Sequence, residues 1–235
     1  MNSNIKLKVF SNYEALSSAA ADIFINIKGE RDKNTFIVPG GNTPQLFFEL
    51  LSNRVRDWAD TNLILSDERQ VKINDENSNE GSIKSKIYSF NSSGTTPFIF
   101  SYLKNNRYPM QKIPYEMELA AKVLTPITAT FLGLGSDGHT ASIFSLDNNI
   151  FNSNSFFTIV QNQDESYKRI TVNPKILYSG KSIIFIVHGK SKAQILDYVL
   201  NENNPINFPA QRIINEAKIP VTILCDQSAA NSLNQ

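Results

Sequence analysis

Seven short apolar runs punctuate the chain, at Lys6–Phe10, Thr35–Val38, Asn62–Ser66, Phe98–Tyr102, Thr128–Leu132, Ser182–His188 and Val221–Cys225, and each has the length of a strand. Between them lie longer stretches whose apolar residues recur every three or four positions. In Tyr13–Lys28, for example, Leu16, Ala20, Ile23 and Ile27 share one helical face. Pro44–Asn53, Tyr115–Leu124 and Ser191–Leu200 repeat that pattern. Strands alternating with helices predict an α/β fold, an open and mostly parallel sheet flanked by helices. Ile183–Val187 shows no polar alternation, which is the pattern of a strand covered on both faces. The Asn-rich segments Asn74–Asn79, Asn91–Thr96, Asn148–Ser155 and Asn201–Asn207 read as loops. With no repeat and no clear linker, residues 1–235 read as a single domain, a small satellite subdomain after about residue 145 being left open.

Composition narrows the partners. Twenty-three basic residues face 22 acidic ones, a net charge of +1, so neither nucleic acid nor an anionic membrane is expected as a partner. The hydrophobic share of 41% and charged share of 19% are those of an ordinary globular protein. Cys225 is the single cysteine, which rules out an internal disulfide and suits a reducing compartment. Met1–Val9 alternates lysine with apolar residues and lacks the apolar block of a signal peptide. No window approaches the roughly 18–20 apolar residues of a membrane span. A cytoplasmic location is therefore expected. No ligand cluster calls for a metal, and no cofactor or obligate protein partner is indicated.

Ligands of open α/β sheets collect at the carboxyl ends of the strands, so the residues that follow each apolar run are the candidates. After Phe36-Ile37-Val38 comes Pro39-Gly40-Gly41-Asn42-Thr43-Pro44. Its glycines permit a tight turn and close backbone approach, Asn42 or Thr43 is placed to cap the next helix, and Pro44 suits its first turn. Such a helix start either binds an anion through free N–H groups or is only a turn. After Asn62–Leu65 comes Ser66-Asp67-Glu68-Arg69, which by itself reads as a solvated loop with a surface ion pair. After Ala129–Leu132 comes Gly133-Leu134-Gly135-Ser136-Asp137-Gly138-His139-Thr140-Ala141-Ser142, with one of the chain's two histidines. A histidine beside an aspartate, between a glycine loop and an expected helix start, is suited to acid–base work. Arg169 and Lys192 are further cations able to hold a phosphate, although each taken singly reads as a surface residue. His188 ends its strand and reads as packed.

At these same junctions the chain resembles the 6-phosphogluconolactonase family over nearly its whole length. Gly40–Pro44 looks like the family's Gly-Gly-Ser-Thr-Pro phosphate loop. Trp58, Leu63–Arg69 and Ser78-Asn79 resemble its Trp, Asp-Glu-Arg and Ser-Asn pattern, and Gly133–Phe144 resembles its Gly-x-Gly-x-Asp-Gly-His-x-Ala-Ser-x-Phe signature. Arg169-Ile170-Thr171, Gly189 through Lys192-Ala193, and Pro209-Ala210 resemble its C-terminal markers. Departures are Pro39 before the glycines, Asn42 for serine, Glu80 for tyrosine, Ser136 for an acidic residue, Ser145 for proline and His188 for a small hydroxyl residue.

The resemblance implies a Rossmann-like sheet and the hydrolysis of 6-phospho-D-glucono-1,5-lactone to 6-phospho-D-gluconate, the lactonase step of the oxidative pentose phosphate pathway. It implies that His139 is the general base, that Asp67 and Asp137 orient substrate or imidazole, and that Arg69 with backbone N–H groups near Gly41 or Gly138 steadies the oxyanion. Gly40, Gly41, Asn42, Thr43, Gly135, Gly138, Arg169 and Lys192 would then hold the phosphosugar lactone. Two rivals stand beside this reading: a glucosamine-6-phosphate deaminase, and a non-catalytic sugar-phosphate-binding domain. The deaminases place a glutamate five residues after the histidine and a tyrosine after Asp-Glu, where this chain has Phe144 and Arg69.

Overall fold

The computed structural model describes residues 4–30, 32–41, 43–89, 94–102, 113–162, 166–201 and 203–233. Its main sheet has seven strands in the order β1 (Ile5–Phe10), β10 (Val221–Asp226), β9 (Ile183–Val187), β6 (Ala129–Gly133), β2 (Asn34–Val38), β3 (Thr61–Leu65) and β5 (Phe98–Phe100). Every ladder in it is parallel. These are the seven apolar runs of the sequence, with the fourth trimmed to three residues. β2, β3, β6 and β9 are buried along almost their whole length, and from their third residue β2 and β3 are wholly apolar, as strands covered on both faces favour.

Strand order decides where a ligand fits. From β2 the chain moves outward through β3 to β5; from β6 it moves outward the other way through β9 to β10. The connections after β2 and β6 therefore diverge at neighbouring carboxyl ends and leave a crevice at this switch point.

Helices α1 (Tyr13–Gly29), α2 (Gln45–Arg54), α3 (Asn79–Ser89), α4 (Ile113–Leu124), α7 (Ala193–Leu200) and α8 (Pro209–Glu216) flank the sheet. α1 starts where the Asn12 side chain accepts a hydrogen bond from the Ala15 amide. Its inner face meets an aromatic core: Phe24 lies 4.0 Å from Phe36 between ring centroids, and Phe47 lies 5.3 Å from Phe131. Burying each such ring contributes about 1.5–3 kcal/mol.

A second sheet is antiparallel, in the order β4 (Asp67–Arg69), β8 (Lys168–Val172), β7 (Phe157–Gln161). Nothing in the apolar pattern announced it. β4 is three charged residues that form a strand only because Asp67 and Arg69 pair with Thr171 and Arg169, some hundred residues on. The Asn148–Ser155 segment, expected as loop, also contains a helical turn, α5 (Asn148–Phe151), because the Asp147 carboxylate accepts from the Asn149 amide at 2.8 Å. Residues 91–93 and 202 of the other expected loops lie outside the described residues. Two further short helices are α6 (Pro174–Leu177) and α9 (Gln227–Ala230). Cys225 is buried and unpaired. Among the described residues no helix is long and apolar enough to cross a membrane.

Candidate active site

A cavity of about 260 Å³ opens at the β2/β6 switch point. Its walls come from the turns after β2, β3, β6 and β9, and they bring together Gly40, Gly41, Thr43, Asp67, Arg69, Gly135, His139 and Lys192.

The turn after β2 is shaped by residues outside it. A Cβ on Gly40 would lie 2.0 Å from the Asn79 carboxamide, so only glycine permits that approach. Gly41 has φ +80°, a left-handed conformation that favours glycine, and its N–H donates to Asn79 Oδ1 at 3.2 Å. Gln45 Nε2 donates to the Gly41 carbonyl and to Ser82 Oγ, both at 2.9 Å. Asn42 or Thr43 was expected to cap α2; the residue at the cap is instead Pro44, with no side-chain hydrogen bond. Tyr13 Oη takes that role, accepting from the Leu46 amide at 3.2 Å while donating to the Thr43 carbonyl at 2.7 Å. Asn42 lies outside the described residues.

The segment after β3 overturns the expectation of a solvated loop. Asp67 is 4% exposed and Glu68 2%. Asp67 Oδ2 accepts from Ser142 Oγ at 2.6 Å and faces Arg169 Nη1 at 3.5 Å; Oδ1 accepts from Ser66 Oγ and Asn79 Nδ2, both at 3.3 Å. A buried carboxylate needs such partners to stay ionised. Glu68 faces the other way and holds the start of α3, accepting from the amides of Asn79 at 2.9 Å and Glu80 at 2.7 Å. Burial pushes its carboxyl up to about 7; these amides and that of Arg69 oppose the rise, and the nearby Asp67 charge adds to it. Arg69 spends Nη1 on the Asn77 carbonyl at 2.9 Å, which leaves its buried Nε unpartnered at the cavity wall. Arg169, read singly as a surface residue, is 7% exposed and lies behind Asp67, outside the cavity lining. Its guanidinium rests over the Phe144 ring at 5.4 Å.

The turn after β6 closes on itself. Gly135 N–H donates to the His139 carbonyl at 2.8 Å, Gly138 N–H to the Gly135 carbonyl at 3.1 Å, and Thr140 Oγ1 to the Gly133 carbonyl at 2.8 Å. No helix follows His139, contrary to expectation. Thr140 instead forms a bridge with Ile143, and Ala141 adopts φ +52°, which breaks any helical path. His139 Nδ1 meets Asp137 Oδ1 at 2.5 Å, leaving Nε2 as the ring nitrogen without a described partner. Partial burial raises the Asp137 carboxyl, but the His139 ring and the hydrogen bonds from His139 outweigh it and hold the group below its ordinary value. Asp137 and Gly138 support this turn without lining the cavity. Gly138, at φ +81°, leaves no room for a Cβ, which would strike the Phe208 ring at 2.4 Å.

Lys192 stands in the short 3-10 turn Lys190–Lys192 after β9 and lines the cavity half-buried. Burial lowers its ammonium's affinity for a proton, and the Asp137 charge partly restores it. With Asp67 matched by Arg169 and the Asp137 charge close to Lys192, the charged side chains around the cavity still leave a positive excess from Arg69 and Lys192, which suits an anionic ligand. Among the described residues no group of three His, Cys, Asp or Glu side chains is placed to hold a metal.

Sequence reasoning did not single out Tyr13, Asn79 or Ser142 as site residues. Asn79 and Ser142 fall within the motifs quoted above and were recoverable from them. Tyr13 had no local signal, because its role depends on a turn 30 residues away.

Residues 11–222 match the family of glucosamine-6-phosphate isomerases and 6-phosphogluconolactonase. The chain belongs to this family. A 6-phosphogluconolactonase of Thermotoga maritima is 29% identical over 178 residues, which is 74% of this chain and 77% of that protein. The crystal structure of a 6-phosphogluconolactonase from Leishmania guyanensis superposes with a TM-score of 0.83 at 21% identity, covering 97% of this chain and 98% of that one. A monomeric glucosamine-6-phosphate deaminase superposes almost as well, with a TM-score of 0.80, 21% identity and coverage of 97% and 99%. The glucosamine-6-phosphate isomerase/6-phosphogluconolactonase fold is thus common to both chemistries, and the choice between them lies with the side chains of the site.

Proposed function

We propose that the protein hydrolyses 6-phospho-D-glucono-1,5-lactone to 6-phospho-D-gluconate, with His139 as general base. The observation that carries this reading is the His139–Asp137 pair, 2.5 Å apart, on a cavity that also holds Arg69 and Lys192. Several relatives named 6-phosphogluconolactonase support it. Asp137 fixes the imidazole with Nδ1 toward the carboxylate, which leaves Nε2 as the base. Nε2 takes a proton from water as the water oxygen bonds to the lactone carbonyl carbon, and the carbonyl becomes an oxyanion. Arg69 and backbone N–H groups stabilise that charge. The intermediate then collapses, the ring C–O bond breaks, and the departing ring oxygen takes the proton from His139. The Gly41–Thr43 turn and Lys192 hold the 6-phosphate and so orient the ring against the histidine. Arg169 contributes by matching the Asp67 charge from behind.

The deaminase reading lacks its proton carrier. Phe144 occupies the position of that enzyme's glutamate, and its ring packs 5.0 Å from His139 between centroids. The deciding experiment presents the purified protein with freshly generated 6-phosphogluconolactone and, separately, with glucosamine 6-phosphate. Lactone turnover well above the spontaneous rate, without ammonia release from the amino sugar, is the expected result. Ammonia release instead would assign the deaminase. Phosphosugar binding with neither reaction would assign a non-catalytic sugar-phosphate-binding domain.

A further inference from the structure

We infer that Tyr13, His188 and Asp226 form a positioning bridge that sets the spacing between the two cationic or amide-rich walls of the site, the turn around Gly41 and Thr43 and the turn that presents Lys192; the inference rests on the reading of these walls as the phosphate site. None of the three residues lines the cavity, so they act through the groups they hold. Tyr13 opens α1, and its hydroxyl is bonded on both sides, to the Thr43 carbonyl at 2.7 Å and the Leu46 amide at 3.2 Å. Because α2 has no side-chain cap of its own, this remote hydroxyl satisfies an amide that the helix start would otherwise leave open. Tyr13 therefore ties down the backbone from which the anion site is built.

The other end of the bridge lies beyond β9. The His188 ring stacks on Tyr13 with centroids 4.3 Å apart and planes 28° from parallel. His188 Nδ1 meets Asp226 Oδ2 at 2.8 Å, while Asp226 Oδ1 accepts from the amides of Gly189 at 3.1 Å and Ala229 at 2.9 Å. Gly189, at φ +95°, begins the turn that ends in Lys192. A continuous path of contacts thus runs from Lys192's turn through Asp226, His188 and Tyr13 to the Thr43 carbonyl. It depends on a ring at position 188. The small hydroxyl residue that the family resemblance leads one to expect there has no face to stack.

The test compares the parent with Tyr13→Phe, His188→Ala and the double variant, reading kcat, KM for the lactone and the inhibition constant of inorganic phosphate. Losing the tyrosine hydroxyl, and with it both of its hydrogen bonds, should raise both KM and the phosphate inhibition constant about tenfold, with kcat within about twofold. Removing the stacked ring should raise both about threefold, and the double variant should fall short of the product of the singles, because the stacking and the hydroxyl bonds lie in series on one path to the Thr43 carbonyl. His188 is half-exposed, so its variant keeps the test available if Tyr13→Phe fails to fold. Unchanged KM and inhibition constants, effects that multiply independently, or a fall in kcat alone would each overturn the bridge. A parent enzyme that turns over the lactone but is not inhibited by phosphate overturns the bridge's stated role while sparing the lactonase reading. A parent that neither turns over the lactone nor binds phosphate overturns both.

Discussion

The turns after β2 and β6 occupy neighbouring strand ends and both depend on glycine, yet they are held in opposite ways. The histidine turn is closed mainly by its own residues: Gly135 binds the His139 carbonyl, Gly138 binds Gly135, and Asp137 holds the ring two residues away, with the Ala210 amide adding a bond to the Gly138 carbonyl from outside. The turn after β2 is held from outside, by Asn79 at the start of α3, by Tyr13 at the start of α1, and by Gln45 bridging to Ser82. A reacting group needs an orientation accurate to fractions of an ångström, and here the Asp137 carboxylate and the hydrogen bonds within the turn fix the ring. A phosphate is symmetric and multiply charged, so its holder tolerates assembly from several elements. Changes in the histidine turn should therefore act on kcat and changes in the turn after β2 on KM.

The largest effect should come from His139→Ala, with kcat lower by about 10²–10⁴-fold in a protein of unchanged circular dichroism, as for loss of a general base. A residual rate near the parent's would break the assignment of chemistry to that turn. Next come two methyl groups, one per turn. A Cβ at Gly135 would lie 2.3 Å from His139 Nδ1, so Gly135→Ala must displace the ring, and a misplacement of about 1 Å costs on the order of 10²-fold in kcat. A Cβ at Gly40 would instead push the Asn79 carboxamide off Gly41, so Gly40→Ala should raise KM by about tenfold, the worth of one to two hydrogen bonds, and leave kcat nearly intact. Steady-state kinetics of the pair decides whether the division holds; two variants that change the same parameter would dissolve it.

The smallest effect concerns pH. Glu68 holds the α3 start from which Asn79 reaches the turn after β2, and its carboxyl in the folded protein is raised from 4.5 to about 7. The native state therefore keeps a proton that the unfolded chain has already lost. That contribution to stability is complete below about 4.5 and fades as pH rises through about 7. Melting temperature should decline across this interval, and Glu68→Gln should flatten the decline. A parallel decline in the variant would move the pH dependence elsewhere.

Much of this architecture is visible in the bare sequence because it is local. The seven apolar runs became the seven strands of the main sheet, and β9, central and covered on both faces, is apolar throughout. The glycines and the Asp137–His139 spacing likewise announce a turn whose closing bonds are mostly short-range. The family motifs named most of the remaining cavity residues, including Arg69 and Lys192.

What stayed hidden depends on residues far apart in the chain. Asp67–Arg69 looks like a solvated charge cluster until Lys168–Val172 pairs with it, and Arg169 looks like a surface cation until Asp67 and Phe144 enclose it. Tyr13 is an unremarkable helix residue until the order of the strands brings the start of α1 beside the turn after β2 and the end of β9. Periodicity records which face of an element is buried, but not which element buries it. The sequence by itself thus determined the strands of the main sheet and the turn that carries His139; the tertiary structure alone decided the second sheet and which distant side chains stand behind that turn, because charge burial and helix capping were met here across long separations.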